Sequence, residues 1–146
     1  MPKFVHSIVV DADVAGVWKV VRNFGDLSWA GLTSLTLSEQ NGGDRVGVVR
    51  HIVMDNGAKI SEQLIALSDR DHTFSYTMVE STLPVVDYYA TFRMLPVHET
   101  HATYISWEAE WRSNGAPDEV TIGIVSEGVF KPALRKLKAD VEAKHD

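Results

Sequence analysis

The stretch that decides the fold is the last thirty residues, Pro117–Asp146, which read PDEVTIGIVSEGVFKPALRKLKADVEAKHD. Its apolar side chains recur at helical spacing, which predicts one long amphipathic helix after a chain that otherwise alternates like strands. Such a helix has to bury its apolar face, and small side chains on a covering helix leave space beneath them. We therefore expect a cavity under this helix. The small residues on or near its apolar face are Val125, Gly128, Val129 and Ala133, with Gly123 and Ser126 close by.

Composition limits the class of protein. The 146 residues predict a single domain over 1–146, large enough for a core with an internal pocket. A net charge of −6 with only 14 Lys and Arg argues against nucleic acid as a partner. The chain has no cysteine, which excludes disulfides and cysteine-based metal sites. The start, MPKFVHSIVVDAD, does not resemble a signal peptide, and no stretch approaches the roughly 18 apolar residues of a membrane span. We expect a cytoplasmic protein without membrane insertion.

The chain before the long helix predicts one strand, two short helices and then six strands. Phe4–Val10 is the first strand. Asp11 and Asp13 offer caps for a helix whose apolar positions run to Phe24, with Gly25 placed to stop it, and a short helix or turn follows at 26–30. From residue 32 the apolar period is two, interrupted by turn signals such as Asn41-Gly42-Gly43. The predicted strands are 32–39, 45–54, 58–67, 72–80, 86–95 and 101–112.

This order of elements predicts a helix-grip fold of the α+β class. Short turns between neighbouring strands imply an antiparallel meander, and the seven-stranded sheet must cover its apolar concave face. One helix of about 40 Å can lie along that face. Pro132 removes one backbone hydrogen bond of the helix and should bend it near Gly128.

Three segments resemble the START-related polyketide cyclase/dehydrase-like superfamily, and in particular its small bacterial single-domain members. They are VDADVAGVWKVVRNFGDLSWAG, GVVRHIVMDNGAKISEQLIALSDRDHTFSYTMVESTLPVVDYYATF and EGVFKPALRKLKADVE. More distantly the chain is similar to plant abscisic acid receptors and pathogenesis-related allergens. The resemblance implies the helix-grip fold, but it does not select an activity, because the superfamily includes carriers, receptors, enzymes and assembly helpers.

Alternation along the strands predicts which side chains face the concave side. The inward sets are Val48 to Met54, Ile60 to Ala66, Phe74 to Met78, Tyr88 to Met94 and Ile105 to Trp111, taking every second residue. Aromatic, Met and Leu side chains with a few polar groups are typical of a small-molecule pocket, and a filled core is the alternative. The resemblance and the small-residue helix favour the pocket. The expected ligand-binding residues are Trp29, Arg50, Ile52, Met54, Glu62, Leu64, Tyr76, Met78, Pro84, Tyr88, Ala90, Phe92, Ile105, Trp107, Val125 and Val129.

Arg50 and Glu62 are the most informative pair in this set. A charge on an apolar face is costly unless it is paired, and the turn near Asn56 places these two residues opposite each other on neighbouring strands. Three roles stay open: a buried ion pair that fixes the strand register, the polar end of a ligand cavity together with Tyr76 and Tyr88, or catalysis. In the catalytic role Glu62 is the general base or acid and Arg50 stabilises an enolate. The resemblance favours the second role, because Glu62 and Tyr88 match polar pocket positions of the abscisic acid receptors.

The chain also departs from those receptors. The position that matches their pocket lysine is Ala30, and the segments that match their closing loops, 54–59 and 80–84, lack the signature residues. Pro84 and the Asn56-Gly57 turn either border the cavity mouth or are plain turns. Trp29 either caps the pocket or packs in the core.

Two charged or polar clusters have ordinary explanations. His98 and His101 do not have the spacing of a metal site, and we expect no metal and no cofactor. The basic residues of the long helix fit a cationic last half that complements the helix dipole and solvates the outer face, with a patch for a membrane or an anionic partner as the alternative. They are Lys131, Arg135, Lys136 and Lys138.

The expected function is binding of a hydrophobic small molecule, such as a lipid, polyketide or aromatic metabolite, in a cavity between sheet and helix. The first alternative is a cyclase or dehydratase that acts on a polyketide-like or aromatic substrate in the same cavity. The second alternative is an assembly helper. The sequence does not decide between a monomer and a homodimer, and it does not identify the ligand.

Overall fold

The fold is one antiparallel sheet of seven strands and a long C-terminal helix. The computed structural model describes residues 1–39 and 42–144, so Asn41 of the predicted turn and the last two residues of the predicted helix lie outside the described residues. The sheet order is β1-β7-β6-β5-β4-β3-β2. The predicted α+β helix-grip fold is therefore confirmed. The strands are β1 (Lys3–Val10), β2 (Leu35–Leu37), β3 (Val49–Val53), β4 (Lys59–Ser68), β5 (Thr73–Ser81), β6 (Val85–Val97) and β7 (Ala102–Ser113).

The first helix, α1 (Val14–Val21), is shorter than the sequence predicts. Asp13 occupies the N-cap position but makes no side-chain capping hydrogen bond. The helix ends before Gly25 because Asn23 forms a local turn, in which its side-chain oxygen accepts a hydrogen bond from the Gly25 amide at 2.9 Å. Such side-chain bonds compete with the helical pattern. The predicted short helix or turn at 26–30 is a single 3₁₀ turn at Ser28–Ala30.

The C-terminal helix is continuous but not uniform. It consists of α2 (Asp118–Val125), a π-helical turn at Ser126–Phe130 and α3 (Lys131–Ala143). Pro132 lies just after the π-helical turn, and proline has no amide hydrogen and crowds the carbonyl four residues earlier, here that of Gly128. A widened turn is a known way for a helix to absorb such a defect. The irregularity thus lies where Pro132 predicts it.

Three predicted strands differ from the observed ones. The predicted strand 32–39 is reduced to β2 (Leu35–Leu37), and two others differ for local reasons. The predicted strand 45–54 begins only at Val49, because Gly47 has φ = +98°, which breaks extended backbone, and donates to the Leu64 carbonyl at 2.7 Å. In β4 a register shift between Leu64 and Ala66 changes which side chains face inward. The expectation that Ala66 faces inward is wrong: Ala66 is exposed.

Charges on the outer side of the C-terminal helix are largely paired along the helix. Lys131 bonds Glu127 and Lys138 bonds Glu142, each four residues away, and Lys136 forms the same kind of pair with Asp140. Three of the four basic residues of the cluster are therefore paired locally, as expected for a solvated helix face. In the part of the chain that the structure describes, no helix is both long enough and apolar enough to cross a bilayer.

Candidate functional site

A cavity lies between the concave face of the sheet and the C-terminal helix. The cavity volume is about 100 Å³, measured as the space that the centre of a water molecule can occupy. All empty space together, including the open mouth, is about 750 Å³. Five strands, the segment before β2 and the C-terminal helix contribute its walls. The side chains are mainly apolar, and the polar groups are those of Arg50, Glu62, Tyr76, Tyr88 and the Trp107 indole.

The helix side of the cavity is built from small and apolar residues. Val125, Gly128, Val129, Pro132 and Ala133 line it, so the space lies under the part of the helix that carries the small side chains. Gly128 and Pro132 are exposed as well as cavity-lining, which places them at the mouth. The described geometry thus agrees with the origin proposed for the cavity: small residues on a covering helix.

Many of the expected ligand-binding residues line the cavity. β3, β4 and β5 bring them together because the inward side chains of neighbouring strands stand next to each other in register. Their contact with a ligand stays a prediction. The lining residues among them are Arg50, Ile52, Met54, Glu62, Tyr76, Met78, Tyr88, Trp107, Val125 and Val129.

The other expected residues do not line the cavity. Leu64, Ala90, Phe92 and Ile105 are fully buried at 0% exposure and belong to a filled part of the core. Pro84 lies in the turn before β6, where its carbonyl accepts a hydrogen bond from Asn114 at 2.8 Å. The two alternatives for the concave face, cavity and filled core, therefore both occur, in different parts of it.

Trp29 packs in the filled part of the core. Its ring centroid lies 5.6 Å from that of Phe92 and 5.8 Å from that of Trp107. Within residues 1–39 and 42–144, its indole Nε1 is the only fully buried side-chain polar atom that has no hydrogen-bond partner. Of the two alternatives for this residue, core packing is the one that the structure supports.

Arg50 and Glu62 form a buried ion pair at one end of the cavity. They are direct cross-strand partners, and their side chains are only 3% and 8% exposed. Arg50 Nε and Nη2 both donate to the same oxygen, Glu62 Oε1, at 2.9 and 2.7 Å, and Nη1 donates to the Phe24 carbonyl at 3.0 Å. The guanidinium lies 3.7 Å from the Phe24 ring centroid and 4.9 Å from that of Tyr76. Arg50 is thus held in one position with its charge balanced by Glu62.

Two tyrosines and a tryptophan extend the polar end. Trp107 Nε1 donates to the Tyr76 hydroxyl at 3.1 Å, and the rings of Tyr76 and Tyr88 lie 6.2 Å apart. Burial raises the pKa of Tyr76, and the carboxylate of Glu62 raises it further. Burial also raises the pKa of Tyr88, with Tyr76 adding to the effect. Both phenols are therefore neutral hydrogen-bonding groups at neutral pH.

A β-bulge positions Tyr88. The register between β6 and β7 shifts between Val86 and Tyr89, and Asp87 has φ = +53°. Arg112 on β7 holds this turn of backbone by donating from Nε to the Asp87 carboxylate at 2.6 Å. The bulge places both Val85 and Tyr88 on the inward side, although simple alternation would pair Tyr88 with Val86.

Some cavity residues were not among the expected ligand-binding residues. Leu27 and Ala30 precede the predicted strands, so no period of two marks them, and Leu32 lies in the predicted strand 32–39 but before the observed β2 begins. Val85 was hidden by the bulge. Four other lining residues could have been added from the sequence. Alternation placed Ile60 inward, and the pattern of the long helix drew attention to Gly128, Pro132 and Ala133. Ala30, the position that matches the receptors' pocket lysine, does line the cavity, and here it offers only a methyl group.

The histidine turn has no features of a metal site. His98 and His101 are exposed in the turn between β6 and β7. Among residues 1–39 and 42–144, no three His, Cys, Asp or Glu side chains are arranged to hold a metal ion.

A family model described as polyketide cyclase / dehydrase and lipid transport matches residues 1–142. The chain belongs to this family. The match covers the sheet and nearly all of the C-terminal helix, and it confirms the resemblance seen in the sequence. No functionally curated protein matches the chain.

Solved structures support the same fold. A protein from Nitrosospira multiformis is 31% identical, with a TM-score of 0.82 and 99% of each chain covered. The protein XoxI from Bacillus cereus is 20% identical, with a TM-score of 0.85 over 100% of this chain and 99% of that chain. Norcoclaurine synthase from Thalictrum flavum is 16% identical, with a TM-score of 0.74 over 97% of this chain and 86% of that chain. At these identities the last two comparisons establish the fold alone.

Proposed function

We propose that this protein binds a small hydrophobic molecule in the cavity between the sheet and the C-terminal helix. The observation that carries the proposal is a mainly apolar cavity with polar groups at one end, which is typical of small-molecule sites. The family description, which includes lipid transport, supports it. Apolar burial at roughly 25 cal/mol per Å² provides the affinity, and the polar end orients the molecule.

The size of the cavity limits the ligand. An engineered apolar cavity of roughly 150 Å³ in another protein accepts benzene. The cavity is smaller, at about 100 Å³, but it continues into an open mouth, so without movement of its walls it admits a ligand no larger than a single ring or a short chain. Met54 and Met78 are only partly buried at its border, and flexible thioether side chains can move to admit a longer ligand.

A cyclase or dehydratase activity is a second candidate, and the geometry of Glu62 is the observation that favours it. Only one of its carboxylate oxygens bonds Arg50, and two neutral tyrosines line the same cavity. A carboxylate with a free oxygen beside a substrate can transfer a proton. The name of norcoclaurine synthase describes an enzyme with this fold. Glu62→Gln keeps the shape of the side chain, so it should abolish turnover of a substrate but only shift the affinity of a carried ligand.

Binding can be tested with a pair of glycine variants on the same helix. A side chain added at Gly128 would meet open space at the cavity mouth, and one added at Gly123 would also meet open space but lies outside the cavity lining. We expect Gly128→Leu to lose ligand binding and Gly123→Leu to retain it. Both should fold, because Leu favours a helix more than Gly does.

The measurement is native mass spectrometry of each protein purified from its own host. The wild-type protein and Gly123→Leu should retain a small molecule, and Gly128→Leu should not. Isothermal titration of the purified proteins with para-ethyltoluene, an apolar probe of single-ring size, checks the result when the native ligand is lost in purification. The proposal fails if the wild-type protein neither retains a molecule nor binds the probe.

The assembly-helper alternative, the cytoplasmic location and the question of a homodimer stay predictions. The absence of a nucleic-acid partner also stays a prediction.

A further inference from the structure

The polar end of the cavity carries no net charge. Arg50 and Glu62 neutralise each other, and the tyrosines beside them are neutral. From this arrangement we infer that the ligand presents a neutral hydroxyl group, an alcohol or a phenol, to the polar end, and not a carboxylate or an ammonium group. The inference rests on the proposed function and specifies the chemical class of its ligand.

Three of the five N–H donors of Arg50 are already bonded within the protein. Its guanidinium already makes two hydrogen bonds to Glu62 Oε1 and one to the Phe24 carbonyl, and it lies against the rings of Phe24 and Tyr76. A ligand carboxylate at this end would meet the negative charge of Glu62 as well as the positive charge of Arg50. Like charges close together in an apolar cavity repel strongly, so a carboxylate gains little there.

Glu62 has one oxygen left for a ligand. Within residues 1–39 and 42–144, Oε2 accepts no hydrogen bond. Within the described residues, Trp29 Nε1 is the only side-chain polar atom that is both fully buried and without a hydrogen-bond partner. Glu62 Oε2 also has no partner among these residues, so it is not fully buried and must border open space. Because Glu62 lines the cavity, that space is the cavity. An unpaired carboxylate oxygen in an apolar wall calls for a donor, and a hydroxyl donating to a carboxylate makes one of the stronger hydrogen bonds.

The tyrosines supply the complementary donor. The Tyr76 hydroxyl accepts a hydrogen bond from Trp107 Nε1 at 3.1 Å, and the ring of Tyr88 lies 6.2 Å from that of Tyr76. A phenol keeps its own hydrogen when its oxygen accepts a hydrogen bond, so a phenolic hydrogen of the pair is left for a ligand. A ligand hydroxyl can accept that hydrogen and donate its own to Glu62. A ketone or an ether could accept it but would leave Glu62 without a donor.

An ammonium group is a poorer match than a hydroxyl. It could donate to Glu62, but it would add a positive charge beside Arg50, which already balances that carboxylate. The combined site would then hold two cations and one anion in an apolar environment, which is unfavourable.

The test uses single-ring compounds of similar shape that differ at one substituent. They are para-ethylphenol, its methyl ether para-ethylanisole, para-ethyltoluene, para-ethylbenzoate and para-ethylbenzylamine, each titrated into the intact chain at pH 7. Binding is followed by isothermal titration and by the tryptophan fluorescence of the chain, to which Trp107 in the cavity wall contributes. We expect para-ethylphenol to bind about tenfold more tightly than para-ethyltoluene or para-ethylanisole, and the benzoate and the amine to bind more weakly than the phenol.

Two variants locate the effect. Glu62→Gln removes the charge-assisted acceptor, so the preference for the phenol over para-ethyltoluene should fall by about tenfold, while the freed charge of Arg50 should improve binding of the benzoate. Tyr88→Phe removes one hydroxyl without changing any charge and should weaken only compounds that accept a hydrogen bond. It provides the test if Glu62→Gln does not fold.

The outcomes separate the two claims. If the benzoate or the amine binds as tightly as the phenol, or if the phenol shows no advantage over para-ethyltoluene, the hydroxyl inference is wrong while ligand binding stands. If no compound binds, para-ethyltoluene included, the proposed function falls and the inference falls with it.

Discussion

The buried pair of Arg50 and Glu62 leads to a quantitative prediction for stability. Both side chains are nearly sealed, at 3% and 8% exposure, so removing one leaves the other charged in an apolar wall. Breaking a buried ion pair in this way typically costs about 3–5 kcal/mol. We therefore expect Arg50→Met and Glu62→Leu each to lower the free energy of unfolding by about that amount.

The double variant should be more stable than either single variant. With both charges gone, no buried charge is left unpaired, and two smaller losses remain. The Phe24 carbonyl loses its donor, which costs about 1 kcal/mol, and the stacking of the guanidinium on the rings of Phe24 and Tyr76 is lost, which costs about 1 kcal/mol more. The expected total is about 2 kcal/mol, against about 6–10 for the sum of the single changes.

Urea unfolding of the four proteins, followed by circular dichroism, measures this cycle. The exposed pair of Arg93 and Glu108 provides the control: its atoms are 3.5 Å apart, but the side chains are 47% and 35% exposed. Its coupling should be below about 1 kcal/mol and should decrease with added salt. If the Arg50 and Glu62 effects simply add, or if their coupling equals that of the surface pair, the account of a desolvated ion pair is refuted.

Two further predictions concern the aromatic residues around the cavity. Burial raises the pKa of Tyr76 above its usual value of 10, so the stability that its neutral form provides is complete below pH 10 and is lost as the pH rises above it. Tyr76→Phe should therefore reduce the decline in unfolding free energy above pH 10 in urea titrations, and an unchanged decline would contradict the assignment. Trp29→Phe removes an unpaired buried N–H, whereas Trp107→Phe breaks the hydrogen bond to Tyr76. Trp29→Phe should lower the free energy of unfolding by about 1 kcal/mol less than Trp107→Phe does, measured by equilibrium unfolding in urea. Equal losses for the two variants would contradict this explanation.

Alternation and turn signals were sufficient to predict the sheet, and they failed only where the backbone leaves the regular pattern. Gly47, with its positive φ, shortens β3, and the bulges in β4 and β6 move Ala66 outward and Val85 inward. A bulge inserts one residue without any mark in the apolar pattern, so side chains beyond it change faces. Only the pairing of neighbouring strands reveals it.

The candidate site was predictable where it lies on regular strands. Arg50 and Glu62 stand out because a charge on an apolar face needs a partner, and the turn between β3 and β4 sets their register. The wall formed by Leu27 and Ala30 could not be derived, because the segment before β2 has no period to reveal which side chains point inward. Trp29 shows the same difficulty: its size suggested a cap on the pocket, and its place among Phe92 and Trp107 depends on tertiary packing.

The C-terminal helix explains why one concave face contains both a filled core and a cavity. Phe130, Leu134 and Leu137 are large, fully buried and spaced by four and three residues, so they follow one stripe of the helix, and Phe130 stacks on Trp107 at 3.9 Å. Val125, Val129 and Ala133 follow a neighbouring stripe at spacing four, and these smaller side chains face the empty space. Because the helix offers no hydrogen-bonding side chain to the cavity, it can select a ligand only by shape. Selection by polarity has to come from the sheet, through Arg50, Glu62 and the tyrosines.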